Sequence, residues 1–385
     1  MGIADTDFKL FREILETEST SGTERSLAEF LEKRLPGESR RTGTSCDARE
    51  SVCCSVSRTE VGDGTLNLLF KWMPCGEEDR MPEICLCTHI DTVPPYFPPE
   101  FACVRRGDVL PDGRIAESDD ILVTGRGSCD AKGQIFSMWL ACMELQRTLK
   151  SFGKGFGLLL LSGEETGSFG AKAYDRDCEG SGWLVVGEPT DNIPVSASKG
   201  TAAFAVTVRG RACHSGYPEL GRSAVETFVD IVGKLRKENF PADPELGETT
   251  WNIGRLSSDN PQNILSPLLT FRVYFRTTFA SEDAVNAAMG KIARDFRDVQ
   301  VEALGGDHPM RYRVPEGYRS APVAFGSDTP RMTKFRNRTL CGPGSIFVAH
   351  TPEEYILGSE ILKAKEQYAD MVRRVLVPGS DCTGR

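Results

Sequence analysis

Histidine is scarce in this chain, with four in 385 residues. Cysteine is not, but its thirteen residues contain no Cys-x-x-Cys pair; Cys53 and Cys54 are adjacent, and Cys85 and Cys87 are one residue apart. That spacing argues against a structural zinc knuckle. An odd, scattered set in so long a chain also argues against a disulfide framework, so reduced thiols in a cytoplasmic protein are expected. No apolar run reaches the roughly 18–20 residues that cross a bilayer. The longest, at 84–87 and 157–161, are strand-sized. A basic stretch followed by an apolar one is missing from the N-terminus, so no secretory leader is expected, although Gly2 with Thr6 fits the loose myristoylation pattern. Positive charge is in deficit too: 46 Lys and Arg face 55 Asp and Glu, a net −9. Such a surface releases few counterions from nucleic acid, and neither nucleic acid nor membrane is an expected partner.

What is present is ordinary globular composition, 39% hydrophobic and 26% charged, at a length that predicts two or three domains. Apolar residues at helical spacing predict helix over 6–35, broken at 18–23 and followed by an exposed loop over 36–50. Strands are expected at 51–59 and 66–72. Short apolar runs at 84–87, 157–161, 183–186 and 346–349, with helix at 131–148, read as strands alternating with helices in an α/β fold: a mixed, largely parallel sheet covered by helices. The section 194–304 differs. Strands at 201–208 and 268–275 and helices at 223–237 and 281–296 suggest an inserted α+β module. The domain expectation is therefore 1–193 with 305–385, interrupted by 194–304.

The chemistry gathers just past strand ends, where open α/β sheets place their active sites. ICLCTHIDTVPP (84–95) delivers His89 and then Asp91, a carboxylate able to take the other ring N–H of a ligating imidazole; a simple turn residue is the bland alternative. VTGRGSCDAKGQ (123–134) presents Asp130. It lacks the third glycine of a dinucleotide fingerprint and sets an acid where phosphate would sit. A run of leucines ends in Ser-Gly, then Glu164 and Glu165, whose carboxylates point in different directions, so that one can bind metal while its neighbour handles a proton. The acids at 77–78 and 353–354 are read as solvated loop pairs. GWLVVGEPTDN (182–192) presents Glu188, and GSIFVAHTPEEYI (344–356) presents His350. A mixed imidazole and carboxylate set suits Zn²⁺, with Co²⁺ or Mn²⁺ as substitutes.

This ordered set resembles the dinuclear-metal amidohydrolases, a group that includes acetylornithine deacetylase, succinyl-diaminopimelate desuccinylase, aminoacylases and glutamate carboxypeptidases. The resemblance spans the chain and implies a zinc-aminopeptidase-like catalytic domain with an inserted ferredoxin-like lid that dimerises. It implies two Zn²⁺ per chain: Asp130 bridging, His89 and Glu188 completing one site, Glu165 and His350 the other. By the same resemblance Glu164 is the general base, Asp91 orients His89, and a cis peptide follows Asp130. His214, in the lid, would stabilise the oxyanion. Asn263, Arg276, Gly326 and Ser327 would contact substrate. His308 matches no motif and is read as structural or exposed.

The runs SKG, ACHSGYPELG, TTWNIG and GPGSIFVAHT look closest to acetylornithine-deacetylase-like members. They imply hydrolysis of an N-acyl-L-amino acid by metal-activated water. The alternative is a carboxypeptidase or dipeptidase releasing a C-terminal residue such as glutamate. A non-catalytic binding protein on the same fold is the remote third reading.

Overall fold

The computed structural model describes residues 7–42, 53–62, 64–74, 76–148 and 154–377. In chain order its elements are α1 (Lys9–Glu16), α2 (Arg25–Thr42), β1 (Cys53–Gly62), β2 (Thr65–Met73), β3 (Ile84–His89), β4 (Glu100–Val104), β5 (Asp120–Thr124), α3 (Lys132–Thr148), β6 (Phe156–Leu161), α4 (Phe169–Asp177) and β7 (Trp183–Val186). There follow β8 (Val195–Ser198), β9 (Gly200–Arg209), α5 (Ala224–Leu235), β10 (Thr250–Ser257), β11 (Leu268–Thr277), α6 (Glu282–Asp295) and β12 (Val299–Gly305). The chain ends with β13 (Met310–Arg311), β14 (Ala321–Val323), β15 (Asn337–Leu340), β16 (Tyr355–Leu357) and α7 (Gly358–Leu376).

Two compact units emerge. The first holds Met1–Val195, Tyr312–Ala321 and Ser327–Arg385; the second holds Ser196–Arg311 with Pro322–Gly326. The second unit runs to Arg311, taking in β12, which pairs with β9 over Val299 to Gly305, and β13, which pairs with β8.

In the first unit six strands run in the order β1-β2-β6-β3-β7-β15. The pairs β6–β3, β3–β7 and β7–β15 are parallel, and β1–β2 and β2–β6 antiparallel. Every residue of β3 and of β6 is buried, which explains why these strands read as continuous apolar runs rather than as alternation. Helix α3 is buried nearly all round, its hydrophobic residues packed into the main core with those of α1, α2 and α7. Fully burying a side chain of the size of Leu or Phe stabilises by about 1.5–3 kcal/mol, and Phe11, Phe136, Leu158 and Tyr368 all lie in that core.

Two expectations need correction, and one strand stands in a sheet of its own. Helix α2 continues past Pro36 to Thr42 instead of ending at 35; Leu27, Leu31 and Leu35 anchor it in the core, and that packing outweighs the roughly 3 kcal/mol penalty of a helical proline. Residues 43–50 of the expected loop lie outside the described residues. The run 346–349 is a turn, not a strand. Gly342, Pro343 and Gly344 precede it, Gly344 at φ +78°, and Phe347 within it is 85% exposed. The strand in that region is β15. Finally, β5, which leads to Asp130, belongs to a separate three-stranded sheet, β16-β5-β4.

The second unit carries a four-stranded antiparallel sheet, β10-β11-β9-β12. With α5 and α6 this is the split β-α-β arrangement of ferredoxin-like folds. The helices cover one face, packing on Phe204, Val206, Val208, Leu269, Phe271 and Phe275. Ser223 caps α5, its hydroxyl accepting from the Glu226 N–H at 3.3 Å. Strands β10 and β12 were not expected from the sequence; both are edge strands, largely exposed, so neither shows a strong apolar alternation.

Candidate active site

Three adjacent parallel strands deliver the first unit's acids and imidazole at their carboxyl ends. His89 is the last residue of β3 and lies beside Leu161, the last of β6; the Ile90 N–H donates to the Leu161 carbonyl at 2.8 Å. Past β6 the chain turns through Gly163, held at φ +68°, into Glu164 and Glu165. Past β7 the Gly187 N–H donates to Cys87 at 2.7 Å and Glu188 follows. Asp130 sits in the turn between β5 and α3, with a cis bond to Ala131. His350 closes the turn before β16, with the uncommon non-glycine φ of +63°.

These residues come together as two pairs sharing Asp130. Its Oδ1 is 3.0 Å from His89 Nε2, which is 4.0 Å from Glu188 Oε2. Its Oδ2 is 3.3 Å from His350 Nε2, which is 3.0 Å from Glu165 Oε1. In each of the groups His89–Asp130–Glu188 and Asp130–Glu165–His350 the donor atoms lie within 4.8 Å of one another. The group His89–Glu164–Glu165 meets the same condition.

Asp91 organises this end of the sheet more broadly than expected. Its backbone carbonyl, rather than its carboxylate, takes the closer contact with His89 Nδ1, at 2.9 Å against 3.5 Å. The carboxylate instead accepts the N–H groups of Glu164 at 3.0 Å and Glu165 at 3.2 Å and the Ser21 hydroxyl at 2.7 Å. It therefore fixes the backbone of both glutamates.

The electrostatics are those of carboxylates crowded together, with His89, Asp130 and Glu188 buried and Glu164 and Glu165 half-buried. Burial foremost pushes Glu164 and Glu188 well above the usual carboxylate range, and neighbouring acids add to it. Burial opposes charge on His89, but Asp130, Asp91 and Glu188 outweigh it and raise its pKa. Contacts with Asp130 and Glu165 push His350 up to about 10. Burial likewise opposes ionisation of Asp130, and the two imidazoles overcome it. Glu188 Oε1 is buried and accepts no hydrogen bond from any described residue. A lone acceptor of that kind costs about 1–3 kcal/mol or more unless something positive meets it. Clustered carboxylate oxygens, two imidazole nitrogens and this unpaired oxygen fit a pair of divalent cations.

His214, Asn263 and Arg276 belong to the second unit. In the second unit His214 bridges to Ile264, and the Ser215 N–H donates to Asn263 at 2.9 Å, so His214 and Asn263 share one loop pairing. Arg276 lies on β11 with its guanidinium 5.1 Å from the Tyr274 ring. Ser327 is buried, its hydroxyl donating to Thr329 at 2.8 Å, while Gly326 has open space around its Cα. His308 is exposed and paired with Glu282.

A model of the peptidase dimerisation domain, M20_dimer, matches residues 196–303. The Uncinocarpus reesii protein named "Probable carboxypeptidase" is 30% identical over 98% of this chain and 88% of its own length. The chain belongs to the M20 peptidase family. Among solved structures, a Staphylococcus aureus tripeptidase aligns with a TM-score of 0.72 at 17% identity, covering 95% of this chain and 96% of that one. A Bacillus subtilis protein described as a dinuclear metal binding peptidase of the M20 family aligns at 0.62 and 13%, covering 96% and 97%. As an M20 peptidase this protein is a hydrolase acting on amide bonds.

Two acids of this M20 peptidase escaped the sequence reading. The sequence suggests a solvated pair at 353–354, but only Glu353 is exposed; Glu354 is 1% exposed and ion-paired with Arg126 at 2.6 Å. Asp328, beside Ser327, is 2% exposed, and burial pushes its carboxyl up to about 7, with the charges of Asp91 and Glu165 adding to the effect. The available signals were slight: an acid one turn past a candidate histidine, and one next to a glycine-serine loop.

Proposed function

We propose that this protein hydrolyses the amide bond that joins an acyl or peptidyl group to an amino acid with a free carboxylate, acting as a carboxypeptidase or dipeptidase. The observation that carries the reading is the shared position of Asp130 between His89 with Glu188 and His350 with Glu165. His89, Asp130 and Glu188 would hold one ion and Asp130, Glu165 and His350 a second, with zinc the natural choice for this donor set. Divalent ions so held supply Lewis acidity that polarises a carbonyl and makes water acidic near neutral pH. Glu164 is the proposed general base. Its carboxylate takes the proton of the attacking water and returns it to the departing nitrogen. A carboxyl raised by burial suits both directions of that transfer. Asp91 holds the Glu164 backbone in place while this happens. Arg276 and Asn263 are assigned to the substrate's carboxylate, for which a guanidinium is the matching clamp, with His214 at the developing oxyanion and the loop of Gly326 and Ser327 as a further contact.

A second reading, deacylation of N-acyl amino acids such as acetylornithine, is favoured by the SKG, ACHSGYPELG and GPGSIFVAHT runs. A relative named a carboxypeptidase supports the first reading. We further propose a homodimer through the second unit, where Val225 and Val229 on α5 and Leu256 on β10 are exposed, and a cytoplasmic location suited to the free cysteines among the described residues.

A panel of dipeptides, N-acyl amino acids and their C-terminal amides, run before and after chelation and with Zn²⁺, Co²⁺ or Mn²⁺ restored, tests this. Dipeptides should be turned over, amides not, and chelation should abolish activity until metal returns. Turnover untouched by chelation, or none of any free-carboxylate substrate, overturns it.

A further inference from the structure

Glu354 faces the back of the turn that presents Asp130. Its Oε1 accepts two backbone N–H groups, from Cys129 at 3.1 Å and from Asp130 at 3.0 Å. Its Oε2 accepts from Arg126 Nη1 at 2.6 Å, and its own carbonyl accepts the Gly125 N–H at 3.3 Å. Arg126, 3% exposed, is held in turn: Nε donates to the Pro95 carbonyl at 3.2 Å, and the guanidinium lies 4.8 Å from the Phe97 ring. Asp130 lies in the turn before α3, and the Glu354 carboxylate is the acceptor of its N–H. Glu354 also lies four residues after His350, on the segment that brings that imidazole to Asp130.

We infer that Glu354 is a positioning residue: with Arg126 it clamps the Asp130 turn so that one carboxylate oxygen faces His89 and the other His350, and its loss weakens divalent-ion binding at both places together. A clamp on the shared ligand differs from any terminal ligand in this respect. Losing Glu188 touches the His89 side and losing Glu165 the His350 side, whereas turning Asp130 disturbs both. Two N–H groups and a buried guanidinium left without their acceptor also favour a rearranged turn over a merely emptied one. The inference rests on the reading of Asp130 as the shared ion ligand.

The test measures Zn²⁺ and Co²⁺ dissociation constants and stoichiometry by competition with a chromogenic chelator, for wild type, Glu354→Ala, Glu354→Gln and Glu188→Gln, alongside circular dichroism and melting of the metal-free proteins. Loss of a partner that supports a ligand typically weakens metal binding about 10–100-fold. Glu354→Ala should show that loss for both ions, Glu188→Gln for one. Glu354→Gln keeps an acceptor for the two N–H groups and should fall between Ala and wild type; it carries the same test if Glu354→Ala does not fold. Unchanged constants in a folded Glu354 variant, or weakening of a single ion, overturn the inference and leave the proposed function standing. A wild type that binds no divalent ion overturns both.

Discussion

Glu164 and Glu165 are neighbours in sequence with different surroundings. Glu165 Oε1 meets His350 at 3.0 Å, while Glu164 forms no ion pair with an imidazole among the described residues, and burial pushes it well above the usual carboxyl range. One Asp91 carboxylate holds both backbones. Replacing Glu164 by Gln preserves size and leaves both ion-holding groups intact. It should therefore leave metal content at the wild-type level and lower kcat by about 10²–10⁴-fold, the usual worth of general acid–base catalysis. Metal analysis with steady-state kinetics checks this, and a normal kcat removes Glu164 from the role. At this scale the sequence singles out His89, Asp130, Glu164, Glu165, Glu188 and His350 as candidates, because each lies in a short segment with its own turn signal. It was silent about Glu354, since an acid beside another acid reads the same whether it is solvated or buried against Arg126.

At the scale of elements, α3 and α7 are joined by charge as well as by apolar packing. Glu144 on α3 pairs with both Lys365 and Arg373 on α7. Burial opposes its ionisation, but these two cations hold its pKa below the usual 4.5. A carboxyl depressed in the folded state stabilises above its unfolded pKa and loses that contribution as pH falls through its folded value. Glu144→Gln should thus cost about 1 kcal/mol near pH 7, the scale of a partly exposed ion-pair network. The gap to wild type should narrow as pH falls below the usual carboxyl range and through the depressed folded value. Denaturant unfolding at several pH values measures it, and a gap that stays constant down to pH 3 refutes the electrostatic origin. The buried strands β3 and β6 were legible as apolar runs of strand length. Residues 346–349 have the same composition, yet they form a turn; four apolar residues carry no periodicity, and only the pairing of β15 with β7 shows which segment extends the sheet.

For the whole molecule, no described helix is long and apolar enough to cross a membrane. If the second unit pairs two copies as proposed, sedimentation should give twice the 42.3 kDa of one chain, and Val229→Lys on the exposed side of α5 should shift the protein toward monomer with its fold intact. A wild-type protein that sediments as a monomer at micromolar concentration removes that proposal. The sequence by itself determined the class of chemistry and the strand exits that bear His89, Glu164, Glu165 and Glu188, since apolar runs, glycine turns and acid or imidazole side chains are local features of the chain. Tertiary structure alone decided that Asp130, reached from a different sheet, stands between His89 and His350, and that Glu354 lies behind it. Those relations join residues up to 224 positions apart. Only packing brings such residues within hydrogen-bond reach, and no local pattern in the chain records which of them will meet.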